Sequence, residues 1–268
     1  MAEIYDAPWE YDIAPFQITD DIWYVGNRSV SAHLIDTGDG LILIDTTYPQ
    51  TAYLLLESIR SCGFDPADIR CILHTHAHYD HIGATRMLKE KYGCKALLGE
   101  GDAFFLNDRP DLTWHLEFGL PYREQFTPDI LLRDGDRINL GHTEILCIAS
   151  PGHTPGNMTY LWDTSWKGKT YSCALSGGYY PTTAASSYLK KYNLGNWRRN
   201  YDYTLERLTM ISPDITLGAH PSFNNTFERA AGITDTVNPF IDPAEWQREL
   251  TEGKARYSEL CRKDPIEE

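Results

Sequence analysis

Histidine and aspartate crowd together in His74-Thr75-His76-Ala77-His78-Tyr79-Asp80-His81-Ile82-Gly83. Imidazole nitrogen and carboxylate oxygen suit zinc at about 2.0–2.2 Å. In the order His-x-His-x-Asp-His, alternate residues His76 and His78 can point to one side while adjacent Asp80 and His81 turn to another. One loop can then feed two neighbouring metal ions. The competing reading is a polar loop whose histidines cap a helix or bond to backbone. That suits a single histidine, but packing has no need of so many imidazoles so close together. His74 lies one step inside the preceding apolar run, outside the register, and is assigned a structural role.

Two later stretches carry histidines in unusual frames. In Ser150-Pro151-Gly152-His153-Thr154-Pro155-Gly156-Asn157, two prolines and two glycines fix a rigid loop around one imidazole. In Ile215-Thr216-Leu217-Gly218-Ala219-His220-Pro221, a short apolar strand ends in a histidine. Arg70-Cys71-Ile72-Leu73 reads as a buried strand and Ala84 to Tyr92 as a helix, so the first cluster sits on a loop at a strand's carboxyl end. Sheets that carry helices tend to place their chemistry there.

The elements that must hold these loops are legible as periodicity. Ile22–Val25, Ser31–Ile35 and Leu41–Asp45 read as strands, with Asp39-Gly40 as a hairpin signal. Asp45 ends an apolar strand and is read as a strand-end cap or as a support for the metal loop. His33 falls inside a strand pattern and is read as structural. Thr51 to Cys62 reads as a helix with Gly63 closing it. Cys94–Gly99 is a short strand and Glu100 to Leu106 a short helix. Residues 107–127 form a long irregular stretch rich in aromatics, of the kind that is usually functional when ordered; it is expected to wall a substrate cleft, with His115 a surface or wall residue. Further strands are expected at 133–138, 143–148, 158–162 and 170–175. Helices are expected from Arg198 to Ile211 and from Asp242-Pro243 to about Arg262. Residues 1 to 16 are expected to pack as an irregular aromatic flap. Two strand-rich halves suggest a sandwich of two sheets with helices outside, an α+β chain forming one domain over residues 1–268 without a linker.

Composition narrows the function. The chain has 268 residues, 42% of them hydrophobic and 12% aromatic, as in an ordinary folded protein. A formal charge of −14 argues against a nucleic-acid partner and against anchoring to anionic membranes. No transmembrane span is readable. Met1-Ala2-Glu3-Ile4-Tyr5-Asp6 has neither a basic nor an apolar leader region, so the chain as written reads as cytoplasmic, or as periplasmic or secreted if a leader has been removed. The six scattered cysteines read as reduced core thiols, Cys173 among them. A small-molecule substrate and a monomer are expected, with an oligomer left open.

Thr75-His76-Ala77-His78-Tyr79-Asp80-His81-Ile82-Gly83 resembles the signature of the metallo-β-lactamase superfamily, and the Pro-Gly-His-Thr-Pro-Gly frame resembles its third metal motif. The resemblance implies a four-layer αββα sandwich and two zinc ions, one held by His76, His78 and His153 and the other by Asp80, His81 and His220. It also implies that Asp45 backs the metal loop. Many members have a bridging aspartate on the strand before the last histidine; the stretch 171–180 has no carboxylate, which weakens a likeness to glyoxalase-type thioesterases, ribonuclease Z and homoserine-lactone lactonases. His81 distinguishes the chain from the first β-lactamase subclass and makes a cysteine ligand unnecessary. The whole chain is most similar to the third subclass of class B β-lactamases, including Pro15-Phe16-Gln17-Ile18 and Asn238-Pro239-Phe240-Ile241-Asp242-Pro243. That likeness implies opening of the β-lactam ring of penicillins, cephalosporins and carbapenems by metal-activated hydroxide, with Asp80 orienting the nucleophile and Ser176 bonding the substrate carboxylate. Ala174 replaces the family's second serine. Asn157, Tyr179 and Tyr180 line the pocket or simply pack. The alternative is a zinc hydrolase of another cyclic amide or ester, such as a lactone, with weak or no β-lactamase activity.

Overall fold

Ile42 and Ile44 face one side of their strand and Leu41 and Leu43 the other, and all four are buried. A strand apolar on both faces needs two covers. In the computed structural model, which describes residues 3–178 and 180–266, one cover is a second sheet and the other a pair of helices.

The first sheet takes its strands in chain order: β1 (Phe16–Gln17), β2 (Ile22–Tyr24), β3 (His33–Asp36), β4 (Leu41–Ile44), β5 (Ile69–Leu73), β6 (Lys95–Gly99) and β7 (Ile130–Leu132). Pairing is antiparallel up to β4 and parallel from β4 onward. The second sheet contains β8 (Arg137–Leu140), β9 (Thr143–Ala149), β10 (Met158–Trp166), β11 (Lys169–Ser176) and β12 (Ile215–Gly218), in the order β12-β11-β10-β9-β8. Only β11 and β12 run parallel there.

Alternation decides which side chains meet. Tyr24, Ile42, Ile44 and Leu73 from the first sheet pack against Tyr160, Trp162, Leu175 and Leu217 from the second. The opposite face of the first sheet, with Leu34, Leu43 and Ile72, is covered by Leu55 and Ile59 of the helix Ala52–Ser61 and Leu88 of the helix Thr85–Tyr92. Ile148 and Ala174 on the outer face of the second sheet meet Tyr201, Leu205 and Leu208 of the helix Arg198–Leu208, and Trp246 and Leu250 of the helix Glu245–Lys263. The layers are therefore helix, sheet, sheet, helix, an αββα sandwich. Each buried side chain of this size contributes about 1.5–3 kcal/mol of transfer free energy.

The structure departs from the periodicity in several places, among them the expected strand at 133–138, where residues 133–136 instead turn the chain from β7 into β8. β10 continues to Trp166, beyond the expected end at residue 162, because Lys167 (φ 52°) and Gly168 (φ 74°) close a tight hairpin onto β11. The stretch 107–127 holds two 3₁₀ turns, Pro110–Thr113 and His115–Phe118, with Trp114 in a left-handed conformation between them. Near the amino terminus a short helix, Glu3–Asp6, and a 3₁₀ turn, Pro8–Tyr11, replace the irregular flap.

Strand direction brings the loops together. Because β4, β5 and β6 are parallel, the chain leaves Ile44, Leu73 and Gly99 at one edge. In the second sheet Ala149, Met158, Ser176 and Gly218 end together. The Met158 amide donates to the Thr75 carbonyl at 2.8 Å and joins the two edges. At Gly99 a side chain would collide with the Gly156 carbonyl, so the loop carrying His153 sits directly on β6. Replacing Gly99 with Ala is expected to destabilise the fold by about 1–3 kcal/mol through overpacking, measured as a lower midpoint in urea unfolding. An unchanged midpoint would mean that the loop moves away freely.

Candidate metal centre

The residues of the first motif leave β5 in order and are buried. The backbone turns into a short helix at Tyr79–Ile82, which sends Asp80 and His81 away from His76 and His78. His76 Nε2 and His153 Nε2 lie 3.0 and 3.1 Å from His78 Nδ1. His81 Nε2 lies 3.3 Å from His220 Nε2 and 3.4 Å from an Asp80 oxygen, and His220 Nε2 lies 3.7 Å from that same oxygen. His76, His78 and His153 form one group and Asp80, His81 and His220 a second, and the His76 and His81 rings are 4.2 Å apart.

The far sides of the rings show which nitrogens carry protons. His153 Nδ1 donates to the Tyr180 carbonyl at 2.9 Å and His220 Nδ1 to the Ser29 carbonyl at 2.8 Å. A carbonyl can only accept, so in the neutral rings Nε2 is the unprotonated atom. The Thr75 hydroxyl donates to Asp45 at 2.7 Å and can therefore accept from His76 Nδ1, 3.0 Å away. Two lone pairs, on His76 Nε2 and His153 Nε2, thus point toward His78 Nδ1, while His78 Nε2 has no hydrogen-bond partner among the described residues. Tetrahedral zinc with ligands near 2.0–2.1 Å spaces them about 3.3 Å apart, close to the separations observed. Unpartnered, such lone pairs repel; a divalent cation turns the repulsion into coordination. The donor set fits zinc.

Electrostatics separate the groups. Burial, reinforced by neighbouring imidazoles, holds His76 and His78 well below the usual histidine range, and burial takes His153 to about 4. His220 is also lowered by burial. His81 differs: burial opposes its charge, but the Asp80 and Asp45 carboxylates outweigh it and raise His81 to about 10. In turn burial opposes ionisation of Asp80, and His81 outweighs it and holds the carboxyl far below the usual range.

Two buried carboxylates outside the ligand groups hold the loops. Asp45 accepts from the Thr75 amide at 2.8 Å, the Thr75 hydroxyl and His81 Nδ1 at 2.8 Å. It therefore backs the metal loop, from a left-handed backbone conformation (φ 62°). Asp102 was not singled out by its sequence, since a lone aspartate in a short helical pattern carries no motif. It accepts from the Ala77 amide at 2.9 Å, the Thr154 hydroxyl at 2.7 Å and the Gly156 amide at 2.6 Å. Burial pushes it up to about 6 against the pull of those donors.

The ligand groups form the floor of an open cleft of about 430 Å³, whose walls include Tyr48, Trp114, Phe118, Tyr180 and Phe223. The aromatic stretch 107–127 thus supplies part of the wall. Ser176 does not reach the cleft: it is buried, with its hydroxyl 3.1 Å from that of Thr159 and 3.4 Å from the Gly178 amide. Asn157 is also buried off the cleft, its amide donating to the Ser150 carbonyl at 2.9 Å, and it braces the His153 loop instead of touching substrate. The sequence places Ser176 at the substrate and Asn157 either there or in the packing; their partners Thr159 and Ser150 turn them inward. Tyr179 lies outside the described residues. His115 is neither on the surface nor on the cleft wall, because its ring bonds the Thr113 hydroxyl at 2.9 Å beneath the loop. His74 has both ring nitrogens engaged, with the Leu97 carbonyl and the Thr85 hydroxyl, as a structural residue should. Cys173 lies in the core between the sheets, and burial raises its thiol well above the usual value.

A family model described as the metallo-beta-lactamase superfamily matches residues 25–163. The chain is similar to an uncharacterized protein, YobT, of Bacillus subtilis, at 30% identity over 49% of this chain and 56% of the relative. It is also similar to hydroxyacylglutathione hydrolase GloC of Haemophilus influenzae, at 31% identity over 35% of this chain and 44% of the relative. The chain spans about half the length of these curated relatives. Among solved structures, BJP-1, a subclass B3 metallo-beta-lactamase of Bradyrhizobium japonicum, superposes with a TM-score of 0.86 and 27% identity over 96% of this chain and 97% of that one. The class B3 di-zinc enzyme LRA-12 from an Alaskan soil metagenome gives 0.82 and 28% over 95% and 96%.

Replacing Asp45 with Ala is expected to weaken zinc binding at the second group about 10–100-fold, the usual effect of losing an outer partner of a ligating histidine. Competition with a chromophoric chelator measures it, with far-ultraviolet circular dichroism as the control for folding. Unchanged affinity in a folded variant would remove Asp45 from the metal centre.

Proposed function

The chain belongs to the metallo-beta-lactamase superfamily, and on that premise we propose that it is a zinc-dependent hydrolase that opens the β-lactam ring of penicillins, cephalosporins and carbapenems. The observation that carries this reading is the pair of adjacent three-residue groups whose imidazole nitrogens and carboxylate oxygen converge. A shared fold with subclass B3 enzymes over nearly the whole chain, at 27–28% identity, supports it. Two zinc ions per chain match the two groups. Zinc bound by three protein ligands supplies a water whose pKa falls to about 7 and a Lewis acid for the carbonyl.

The chain's own residues then have distinct tasks. Asp80, kept ionised by His81, accepts a hydrogen bond from the attacking water and orients it. Asp45 and the Tyr180 and Ser29 carbonyls keep the imidazoles aimed inward. Trp114, Phe118, Tyr180 and Phe223 exclude solvent and take the apolar part of the substrate. A small-molecule substrate suits the cleft's size and the acidic charge of the chain, which disfavours nucleic acid. Among the described residues no helix is long and apolar enough to cross a membrane.

One observation favours a second reading, the same centre acting on a lactone or another cyclic ester or amide. Ser176, the residue expected to bond a β-lactam carboxylate, is buried away from the cleft. The deciding experiment is hydrolysis of a chromogenic cephalosporin and a carbapenem by zinc-loaded protein, with and without chelator, beside a His153→Ala variant. Turnover is expected, with loss of at least about 100-fold on chelation and in the variant. No turnover by protein carrying two zinc ions would reject the β-lactam reading and leave the lactone.

A further inference from the structure

His220 is the least enclosed member of the second group: its side chain is 27% exposed, against 1% for His81 and 9% for Asp80. Packing alone does not fix its ring, so the Ser29 carbonyl that takes its Nδ1 proton has to be held in turn. That carbonyl lies in Gly26-Asn27-Arg28-Ser29-Val30-Ser31, part of the connection between β2 and β3. The connection closes tightly, with the Val25 amide donating to the Ala32 carbonyl at 2.9 Å and the Asn27 amide to the Val30 carbonyl at 3.0 Å. A side chain at Gly26 would come within 2.6 Å of the Val30 carbonyl oxygen, so only glycine fits there.

Asn27 is buried inside this turn. Its Oδ1 accepts from the Ser29 amide at 2.8 Å and from the Val30 amide at 2.9 Å, and its Nδ2 donates to the Thr51 hydroxyl at 3.2 Å. Backbone amides can only donate, which fixes the orientation of the Asn27 side-chain amide. The peptide between Ser29 and Val30 is trans and planar, so its N–H and C=O point in opposite directions. By drawing the Val30 N–H inward, Asn27 turns the Ser29 carbonyl outward to His220 Nδ1, 2.8 Å away. The next amide, that of Ser31, donates to the Ala219 carbonyl at 3.0 Å, so the same turn also grips the residue before His220. The outer partner of a ligating histidine fixes its tautomer and direction, and losing that partner typically weakens metal binding about 10–100-fold.

We infer that Asn27 is a positioning residue for the second metal group: through the Ser29–Val30 peptide it aims His220, and so decides whether a second ion is retained. The inference rests on the two-metal part of the hydrolase reading and not on the identity of the substrate. The test uses the full chain and reads metal binding and the His220 ring instead of turnover. Stepwise removal of zinc by a chromophoric chelator gives the affinity of each ion. Nitrogen NMR of the metal-free protein shows whether the Nδ1 proton of His220 is hydrogen-bonded. In Asn27→Ala the second ion is expected to bind about tenfold or more weakly, with the first ion unchanged and the Nδ1 hydrogen bond lost. Asn27→Asp, which keeps an acceptor for both amides, is expected to restore both signals. Arg28→Ala, which removes the bond from its guanidinium to the Asp12 carbonyl at 2.8 Å, is expected to match the wild type. In the wild-type chain, binding of the second ion and not of the first is expected to slow hydrogen exchange at the Val30 amide, because coupling between two sites is reciprocal. This arm needs no variant to fold. Native second-ion affinity in Asn27→Ala, an Asn27→Asp variant no better than it, an equal loss in Arg28→Ala, or no slowing at Val30 would each overturn the positioning role. A wild-type chain that holds only one ion would reject the two-metal reading, and an unchanged His220 Nδ1 signal in Asn27→Ala would overturn the role of Asn27 independently of it.

Discussion

Four imidazoles are aimed at one another because fixed oxygen atoms grip their other sides. The carbonyls of Tyr180 and Ser29, the Asp45 carboxylate and the Thr75 hydroxyl each engage the outer nitrogen of one ring. This grip sets direction and tautomer together, and it turns the inner nitrogens toward common points where a cation could join them. The oxygens come from separate parts of the fold. Ser29 lies between β2 and β3, Asp45 follows β4, and Tyr180 follows β11. The sandwich therefore has to close before the centre can exist.

Closure is held by interactions that are individually costly. Asp45 and Thr47 adopt left-handed backbone conformations, φ 62° and 56°, in the turn after β4, at about 1–3 kcal/mol each. Asp102 is fully buried with no cationic partner among its hydrogen bonds. Hydrogen bonds to a charged group contribute about 1.5–3 kcal/mol each, so three donors on Asp102 offset much of its burial. The result is a rigid link between the loop of His76 and His78 and the loop of His153, through neither of the ligand groups themselves.

The third ligand of each group is tied to a shared aromatic pair. Tyr180 holds His153 through its carbonyl, and its ring stacks on Phe223, which lies 5.1 Å from the His220 ring. Arg256 of the helix Glu245–Lys263 covers the other side of Tyr180. The same two rings form a wall of the cleft. Ligand placement and substrate shape are consequently coupled at Tyr180 and Phe223.

Much of this was legible in the order of residues. The spacing of His76, His78, Asp80 and His81, the frame around His153 and the strand leading to His220 marked all six residues that the fold gathers into the two candidate metal groups, because a short motif and its flanking periodicity are local properties of a chain. Asp45 was legible as a support, and the stretch 107–127 as a wall. Asp102, Ser29 and Phe223 were not, since Asp102 and Phe223 act across more than twenty residues of separation, on Ala77 and Tyr180, and Ser29 acts through a backbone atom that any residue would offer. Ser176 and Asn157 show the same limit from the other side. Motif position placed them near the substrate, yet the hydroxyl network with Thr159 and Ser150 turned them inward. Residue type and spacing establish which atoms are available as ligands. Which way a side chain at a strand end points depends on the polar partners that packing delivers to it, and those arrive only when the two sheets meet.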